Sequence, residues 1–306
     1  MDFQKNIEKI YKKIKNTKTT GKNFDSIPEL KKVNPNLFAI SIFTVKGESF
    51  NVGDCDKLFA IESISKIFSL AKALEIVGET KIKKLIGTSQ TGMPFNSIID
   101  IENTPNHTIN SFENGGAMAT TSICYDKNKN KFKNKIFDIM NDFAGRKLTY
   151  SKEIYNSEIT HSDRNRAIAY LLKSYGRFYG DVESTLEVYT KHCSAMVTSK
   201  DIAIMGATIA NNGINPKTGK NAINKKFIPY IIAHMISNGL YEYSETFFSD
   251  VGLPAKSGIG GGILLVVPGV MGIGIISPPL NTHGNSSKGV ITAYELSKVL
   301  KLNIFT

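Results

Sequence analysis

The tetrapeptide Ser63-Ile64-Ser65-Lys66 and the apolar run behind it constrain this chain more than any other segment. Residues three apart lie on one face of a helix, so the Ser63 hydroxyl and the Lys66 amine should point in the same direction. A serine hydroxyl is a poor nucleophile until a neighbouring base takes its proton. Because desolvation lowers the pKa of a buried lysine, the segment predicts a buried helix that carries a nucleophile and its base.

A second motif, Lys256-Ser257-Gly258, precedes a glycine-rich apolar segment at 259–267. Serine β-lactamases and penicillin-binding enzymes combine S-x-x-K with K-T-G, and K-S-G is a close variant. The glycines let backbone approach a ligand closely. A literal K-T-G at 217–219 lies among turn-forming residues, which predicts a loop between helices and excludes it as the catalytic motif.

Charge and cysteine usage bear on partners and location. The formal net charge is +11, but the lysines cluster at 5–32 and 127–135 among asparagines, which indicates solvated faces and no nucleic-acid partner. No apolar run is long enough to span a bilayer, and the N-terminus lacks a secretory signal. Scattered Cys55, Cys124 and Cys193 indicate a reducing cytoplasm. Without metal-ligand spacing among the cysteines and histidines, we expect neither metal nor cofactor.

The hydrophobic periodicity predicts strands near both ends of the chain and helices between them. Predicted strands occupy 37–45, 49–53, 263–267 and 270–276, and predicted helices occupy 2–18, 202–210, 226–238 and 291–302. The order predicts an α/β (α+β) fold, with an antiparallel sheet flanked by helices and an inserted helical lobe. We expect one catalytic domain over 1–306, with an α/β lobe at about 1–75 plus 240–306 and a helical lobe at about 76–239.

Several further segments are family-specific. They are Gly252-Leu253-Pro254-Ala255-Lys256-Ser257-Gly258, Asp163-Arg164-Asn165, Asn114-Gly115-Gly116-Ala117, Ile27-Pro28-Glu29-Leu30, and Ser277-Pro278-Pro279-Leu280 with Gly284-Asn285-Ser286. With them the chain resembles the serine-dependent glutaminases over about residues 20–300. The resemblance implies a β-lactamase/transpeptidase-like fold, hydrolysis of L-glutamine to L-glutamate and ammonia, and a homodimer or homotetramer.

The resemblance also implies roles for individual residues. Ser63 is the expected nucleophile, Lys66 the base, and Tyr241 a proton relay that also contacts substrate. The other expected substrate contacts are Asn114, Glu158, Asn165, Tyr189 and Ile259.

The chemistry of glutamine agrees with these residue types. An acid such as Glu158 suits the α-ammonium group, while Asn and Tyr donors suit the α-carboxylate. The backbone N–H groups of Ser63 and Ile259 are expected to hold the oxyanion. Lys256 and Ser257 are further candidates, and Lys256 could instead be structural and pair with an acid.

The chain departs from the family pattern at three positions, where Ser26, Glu62 and Gly115 stand in place of Tyr, Gln and Ala. Loss of the phenol removes a donor and a wall of the pocket. An ionised Glu62 would repel the substrate carboxylate or raise the pKa of Lys66. Two alternatives therefore stay open: a serine amidase or esterase with another substrate, and a non-catalytic relative that binds glutamine.

Overall fold

The computed structural model describes residues 2–305, and an antiparallel five-stranded sheet lies at its centre. The order of its strands is β2-β1-β7-β6-β5. The strands are β1 Ala39–Thr44, β2 Ser49–Gly53, β5 Ala255–Ser257, β6 Gly262–Val267 and β7 Met271–Ile276. Strands β3 Phe59–Ala60 and β4 Met196–Val197 pair separately. The sheet is thus built from both ends of the chain, as the sequence predicts.

Helices surround this sheet and fill the middle of the chain. They are α1 Phe3–Lys15, α2 Pro28–Lys31, α3 Lys66–Val77, α4 Glu79–Leu85, α5 Ile99–Asn103, α6 Asn114–Ile123, α7 Lys129–Ala144, α8 Lys152–Thr160, α9 Asp163–Ser174, α10 Val182–Cys193, α11 Ser199–Ala210, α12 Ile228–Asn238, α13 Ser244–Val251 and α14 Ser287–Leu300. Short 3₁₀ helices occupy Glu62–Ser65, Lys225–Phe227 and Tyr241–Tyr243. This arrangement confirms the predicted α/β class.

The sheet separates two apolar cores because strand residues alternate between its faces. Ile40 and Ile42 of β1 pack into the core formed with α1, α13 and α14, whereas Leu264 and Val266 of β6 pack with α3, α7 and α12. Helix α11 covers the second face, although its residues fall in the range 76–239 predicted for the helical lobe. The sheet is therefore buried on both sides.

The two motifs fall close to their predicted elements. Ser63 lies in the 3₁₀ helix Glu62–Ser65, and Lys66 begins α3, so Ser63 precedes the α-helix by one turn. Lys256-Ser257 forms the end of β5. The K-T-G at 217–219 lies in the loop after α11, which confirms the predicted loop.

Glycines bring α11 against β7 at backbone contact. A Cβ on Gly272 would lie 2.1 Å from the Ala207 nitrogen, and a Cβ on Gly274 would lie 2.1 Å from the Ser199 carbonyl oxygen. Both distances are far below van der Waals contact. The sheet and α11 can approach this closely only because these strand positions lack side chains.

We predict that Gly272→Ala lowers the free energy of unfolding by roughly 1–3 kcal/mol, because the added methyl overpacks a backbone contact. Urea denaturation measures the change. Gly92→Ala is the matched control, since a Cβ there meets no atom within 4 Å, and its effect should stay within about 0.5 kcal/mol. Equal stability of the two variants would contradict the close approach.

Candidate active site

A strained turn presents Ser63. The residue before it, Glu62, has a φ of 51°, which is unfavourable for any residue other than glycine. The Ser65 hydroxyl donates to the Glu62 carbonyl oxygen at 2.6 Å and lies 2.8 Å from Nδ1 of His192. Burial lowers the pKa of His192 to about 3, so its ring is neutral. These hydrogen bonds hold the turn in its strained conformation.

Lys66 is fully buried one turn later. Its Nζ donates to the carbonyl oxygen of Phe112 and to Oδ1 of Asn114, both at 2.7 Å. Burial lowers the pKa of Lys66 to about 8, while the charge of Glu113 and other acidic groups opposes the shift. The amine can therefore lose its proton near neutral pH, which a base for Ser63 requires.

Tyr241 lies beside two buried lysines. Its ring centroid lies 5.2 Å from Nζ of Lys66 and 4.1 Å from Nζ of Lys256, and its hydroxyl interacts with the Ser63 side chain. The backbone at Tyr241 has a φ of 58°. Burial raises the pKa of the Tyr241 hydroxyl, so it remains a proton-carrying donor.

Among residues 2–305, no acid is a hydrogen-bond partner of Lys256, unlike the pairing that the sequence allows. Its Nζ donates to the carbonyl oxygens of Gly239 and Ser257 at 3.0 and 2.9 Å. Burial and the nearby Lys66 lower the pKa of Lys256 well below its usual range. The two carbonyl acceptors satisfy the buried amine, and they tie β5 to the turn that carries Tyr241.

The glycine-rich segment after β5 packs against the Ser63 turn. A Cβ on Gly258 would lie 2.7 Å from the carbonyl oxygen of Ile61, and one on Gly260 would lie 2.3 Å from that of Ala60. Within residues 2–305, neither the Ser63 N–H nor the Ile259 N–H donates a hydrogen bond to a backbone carbonyl. Both donors are therefore available to a ligand oxygen, as an oxyanion hole requires.

A pocket of about 360 Å³ opens in front of this turn. It is lined by most of the residues predicted from the sequence, namely Ser26, Glu62, Ser63, Asn114, Glu158, Asn165, Tyr189 and Ile259. Lys66, Tyr241 and Lys256 are buried at its base. Ser257 is also buried, and its hydroxyl has no hydrogen-bond partner within the described chain.

One wall of the pocket is an amide and phenol cluster. Nδ2 of Asn114 donates to Oδ1 of Asn165 at 3.0 Å, and the Tyr189 hydroxyl lies 3.5 Å from Oδ1 of Asn114. Nδ2 of Asn165 donates no hydrogen bond to any residue between 2 and 305, so it can bind a ligand. Because Asn114 also accepts from Lys66, this wall is connected directly to the base.

The opposite wall carries a pair of carboxyl groups. The Glu62 side chain is hydrogen-bonded to Glu158, and Ser194 donates to Oε1 of Glu158 at 3.4 Å. Burial and the charge of Glu158 raise the pKa of Glu62 well above its usual range, while burial raises that of Glu158 to about 7. Glu62 is 2% exposed, and Glu158 is more open to the pocket. Two adjacent carboxyls cannot both ionise cheaply, so Glu62 holds the proton and donates it to Glu158.

Among the residues at the site that the motif analysis did not identify, three lie closest to the proposed chemistry. Phe24 lines the pocket next to Ser26 and packs with Ile27, so an apolar wall remains where the phenol is missing. Phe95 lies 5.0 Å from the Tyr241 ring, centroid to centroid. Glu113 is buried beside the Lys66 acceptors. None belongs to a motif, and only the adjacency of Glu113 to Asn114 offered a signal.

No three His, Cys, Asp or Glu side chains within residues 2–305 converge to hold a metal ion. No helix in this part of the chain has the length and apolar character to cross a membrane.

Known proteins provide an independent comparison. The family model for glutaminase matches residues 21–305. A glutaminase from Brucella canis is 42% identical over 288 residues, which cover 94% of this chain and 91% of that protein. A solved structure of a probable glutaminase has a TM-score of 0.96 at 41% identity, covering 99% of this chain and 98% of that one. The structure of Mglu in its glutamate form has a TM-score of 0.92 at 32% identity, covering 99% and 70%.

The fold of this chain and its motifs thus agree with those comparisons over nearly its full length. The family and fold expected from the sequence are confirmed, and the chain belongs to the glutaminase family of amide hydrolases.

Proposed function

We propose that this glutaminase hydrolyses the side-chain amide of L-glutamine through a glutamyl ester on Ser63. The observation that carries the proposal is the position of Ser63 one turn before the fully buried Lys66 amine, with the Tyr241 ring 5.2 Å from Nζ of Lys66. Ser63 lines a pocket that opens to solvent, and Lys66 and Tyr241 are buried behind it. Such an arrangement activates a serine for attack on an acyl carbon.

The reaction has two halves. In the first, the Ser63 proton passes to Lys66, directly or through Tyr241, while Oγ attacks the amide carbon. The N–H groups of Ser63 and Ile259 stabilise the oxyanion. The C–N bond then breaks, the amine returns the proton to the leaving nitrogen, and ammonia departs. In the second half, water loses a proton to the same base, attacks the ester and releases L-glutamate with Ser63 restored.

The two walls of the pocket match the two charges of an amino acid. Glu158 is the acceptor for the α-ammonium group, and its interaction with Glu62 lowers its pKa against the effect of burial, which favours the anionic form. Asn165, with Asn114 and Tyr189 around it, donates to the α-carboxylate. This division explains why the site takes a zwitterion.

Ser63→Ala should abolish turnover, because the ester cannot form without the hydroxyl. Lys66→Ala should be comparably severe, and the double variant should be no worse, because the two residues act as a unit. Ammonia release from L-glutamine, L-asparagine and simple acyl amides measures both the activity and the substrate range. Near-normal release by Ser63→Ala would overturn the mechanism, and faster turnover of another amide would overturn the choice of substrate.

Glu158→Gln should raise KM for L-glutamine about tenfold or more, since a hydrogen bond to a charged group contributes roughly 1.5–3 kcal/mol. The matched substrate is a glutamine analogue that lacks the α-amino group, on which the same change should have little effect. The comparison is a steady-state KM for each substrate with both enzymes. Equal losses on the two substrates would remove Glu158 from ammonium binding.

Glu62→Gln should leave kcat/KM within about twofold between pH 6 and 8. Glutamine is neutral and can still donate to Glu158, so it reproduces the protonated acid. Glu62→Ala removes that donor and should raise KM. Measured pH profiles separate the possibilities: a rise that moves to lower pH in Glu62→Gln would mean that Glu62 is ionised and holds the proton on Lys66, as the sequence alone allows.

Three broader proposals are supported by fewer observations. A cytoplasmic location is supported by three cysteines that are buried and unpaired. A homodimer or homotetramer follows only from the family resemblance. We also propose a single catalytic domain with an α/β lobe and a helical lobe, in which α11 contacts the sheet.

A further inference from the structure

Glu113 lies between the two residues that hold the Lys66 amine. Phe112 accepts from Nζ through its carbonyl oxygen and Asn114 through its side chain, both at 2.7 Å. Glu113 precedes α6 as its N-cap residue but makes no side-chain cap hydrogen bond. Its side chain is therefore placed for something other than helix capping.

The Glu113 carboxyl is cut off from bulk water. The residue is 4% exposed, and its Oε2 atom has no hydrogen-bond partner within residues 2–305. The cavity that it lines with Asp100 and Phe95 has a volume of only about 10 Å³, about the space of one water molecule. A carboxylate in such a place interacts strongly with nearby charges because little solvent screens it.

The backbone holds this acid in a fixed position. Oδ1 of Asn110 accepts from the N–H of Phe112 at 2.8 Å and from the N–H of Glu113 at 3.0 Å. Nδ2 of Asn110 in turn donates to Asn238 at 3.1 Å. The segment that carries Glu113 is thus the same rigid segment that binds the amine.

The site contains two buried amines and few acids to balance them. The hydrogen bonds from Lys66 and Lys256 all go to neutral oxygens. A buried cation without a compensating charge is costly. Glu62 is protonated and bound to Glu158, which leaves Glu113 as the buried acid that can supply the charge.

We propose that Glu113 is the charge partner of Lys66 and sets the pH range in which Lys66 can accept the Ser63 proton. It acts through Lys66 and touches no reacting atom, so it is a positioning residue. The inference depends on the proposed role of Lys66 as the base.

The direction of the effect follows from the charges. Burial raises the pKa of Glu113 to about 7, and the nearby Lys66 and Lys256 oppose this rise. In return, Glu113 makes the largest electrostatic contribution that raises the pKa of Lys66, and it opposes the lowering by burial. Lys66 is a base only when unprotonated, so activity rises as pH increases through about 8. Removal of the Glu113 charge should move that rise to lower pH.

Other charged and titratable groups face this pair from every side. Those around Lys66 are Glu62, His192, Cys193, Tyr241 and Lys256, and those around Glu113 are Asp100, Glu242 and Lys256. Burial keeps His192 and the Cys193 thiol neutral, and Tyr241 stays protonated. Asp100 and Glu242 raise the pKa of Glu113, but they are not among the main influences on the pKa of Lys66.

The test is the pH profile of kcat/KM for L-glutamine in three variants. Glu113→Gln keeps the shape and removes the charge, and its alkaline rise should move down by roughly 0.5–1 pH unit. Glu113→Asp keeps the charge, so its midpoint should stay near that of the parent. Glu75→Gln is the surface control on α3, where Glu75 pairs with Lys72 at 3.0 Å, and its profile should not move.

An unchanged pH profile in Glu113→Gln, or a rise in activity that moves to higher pH, would overturn the proposal. If Ser63→Ala is inactive at the same time, the mechanism itself still stands. Activity in Ser63→Ala would instead overturn the mechanism itself.

If Glu113→Gln does not fold, NMR titration of the parent enzyme tests the coupling between Glu113 and Lys66 directly. The Lys66 Nζ and Glu113 Cδ resonances should each show an inflection at the other's titration. A single independent step for Lys66 would refute the coupling.

Discussion

The burial of the Lys66 amine is the constraint on which the rest of the site depends. A lysine in water holds its proton at neutral pH, and only loss of solvent makes it a usable base. Burial alone would leave its N–H groups unsatisfied, so the start of α6 supplies two acceptors at 2.7 Å. Those acceptors belong to the wall that faces the substrate, and binding and proton transfer are thereby connected.

The strained backbone around Ser63 follows from the same constraint. Ser63 faces the pocket while Lys66, one turn later, is buried, and the positive φ at Glu62 accompanies this change of direction. Such a conformation costs roughly 1–3 kcal/mol, and the Ser65 hydroxyl and His192 stabilise it. The glycines after β5 then allow a second backbone segment to reach the turn.

The two acids near Lys66, Glu62 and Glu113, differ in their electrostatic effect on it. Glu62 is neutralised by its contact with Glu158, so it behaves as the amide that the family pattern has at that position. Glu113 has no such partner and retains its influence on Lys66. The difference lies in the neighbours and not in the residue type, because the same carboxyl group responds to whichever charge it meets in the interior.

Sequence alone determined the elements and most of the site in this protein. The periodicity placed four of the five sheet strands within two residues but did not predict β5, because alternation is a local property of a strand and β5 has only three residues. The S-x-x-K and K-S-G motifs identified Ser63, Lys66 and Lys256, and the family segments identified Glu158 and Asn165.

Only the tertiary structure decided what these groups do to one another. The charge on Glu62, the carbonyl partners of Lys256 and the position of Phe24 depend on residues distant in sequence. The adjacency of Glu113 to Asn114 is visible in the sequence, but its burial beside two amines is not. The placement of α11 on the sheet is decided in the same way, by backbone contact at glycines that lie far along the chain. Interactions between charges and close packing depend on distance in space, which local sequence patterns do not encode.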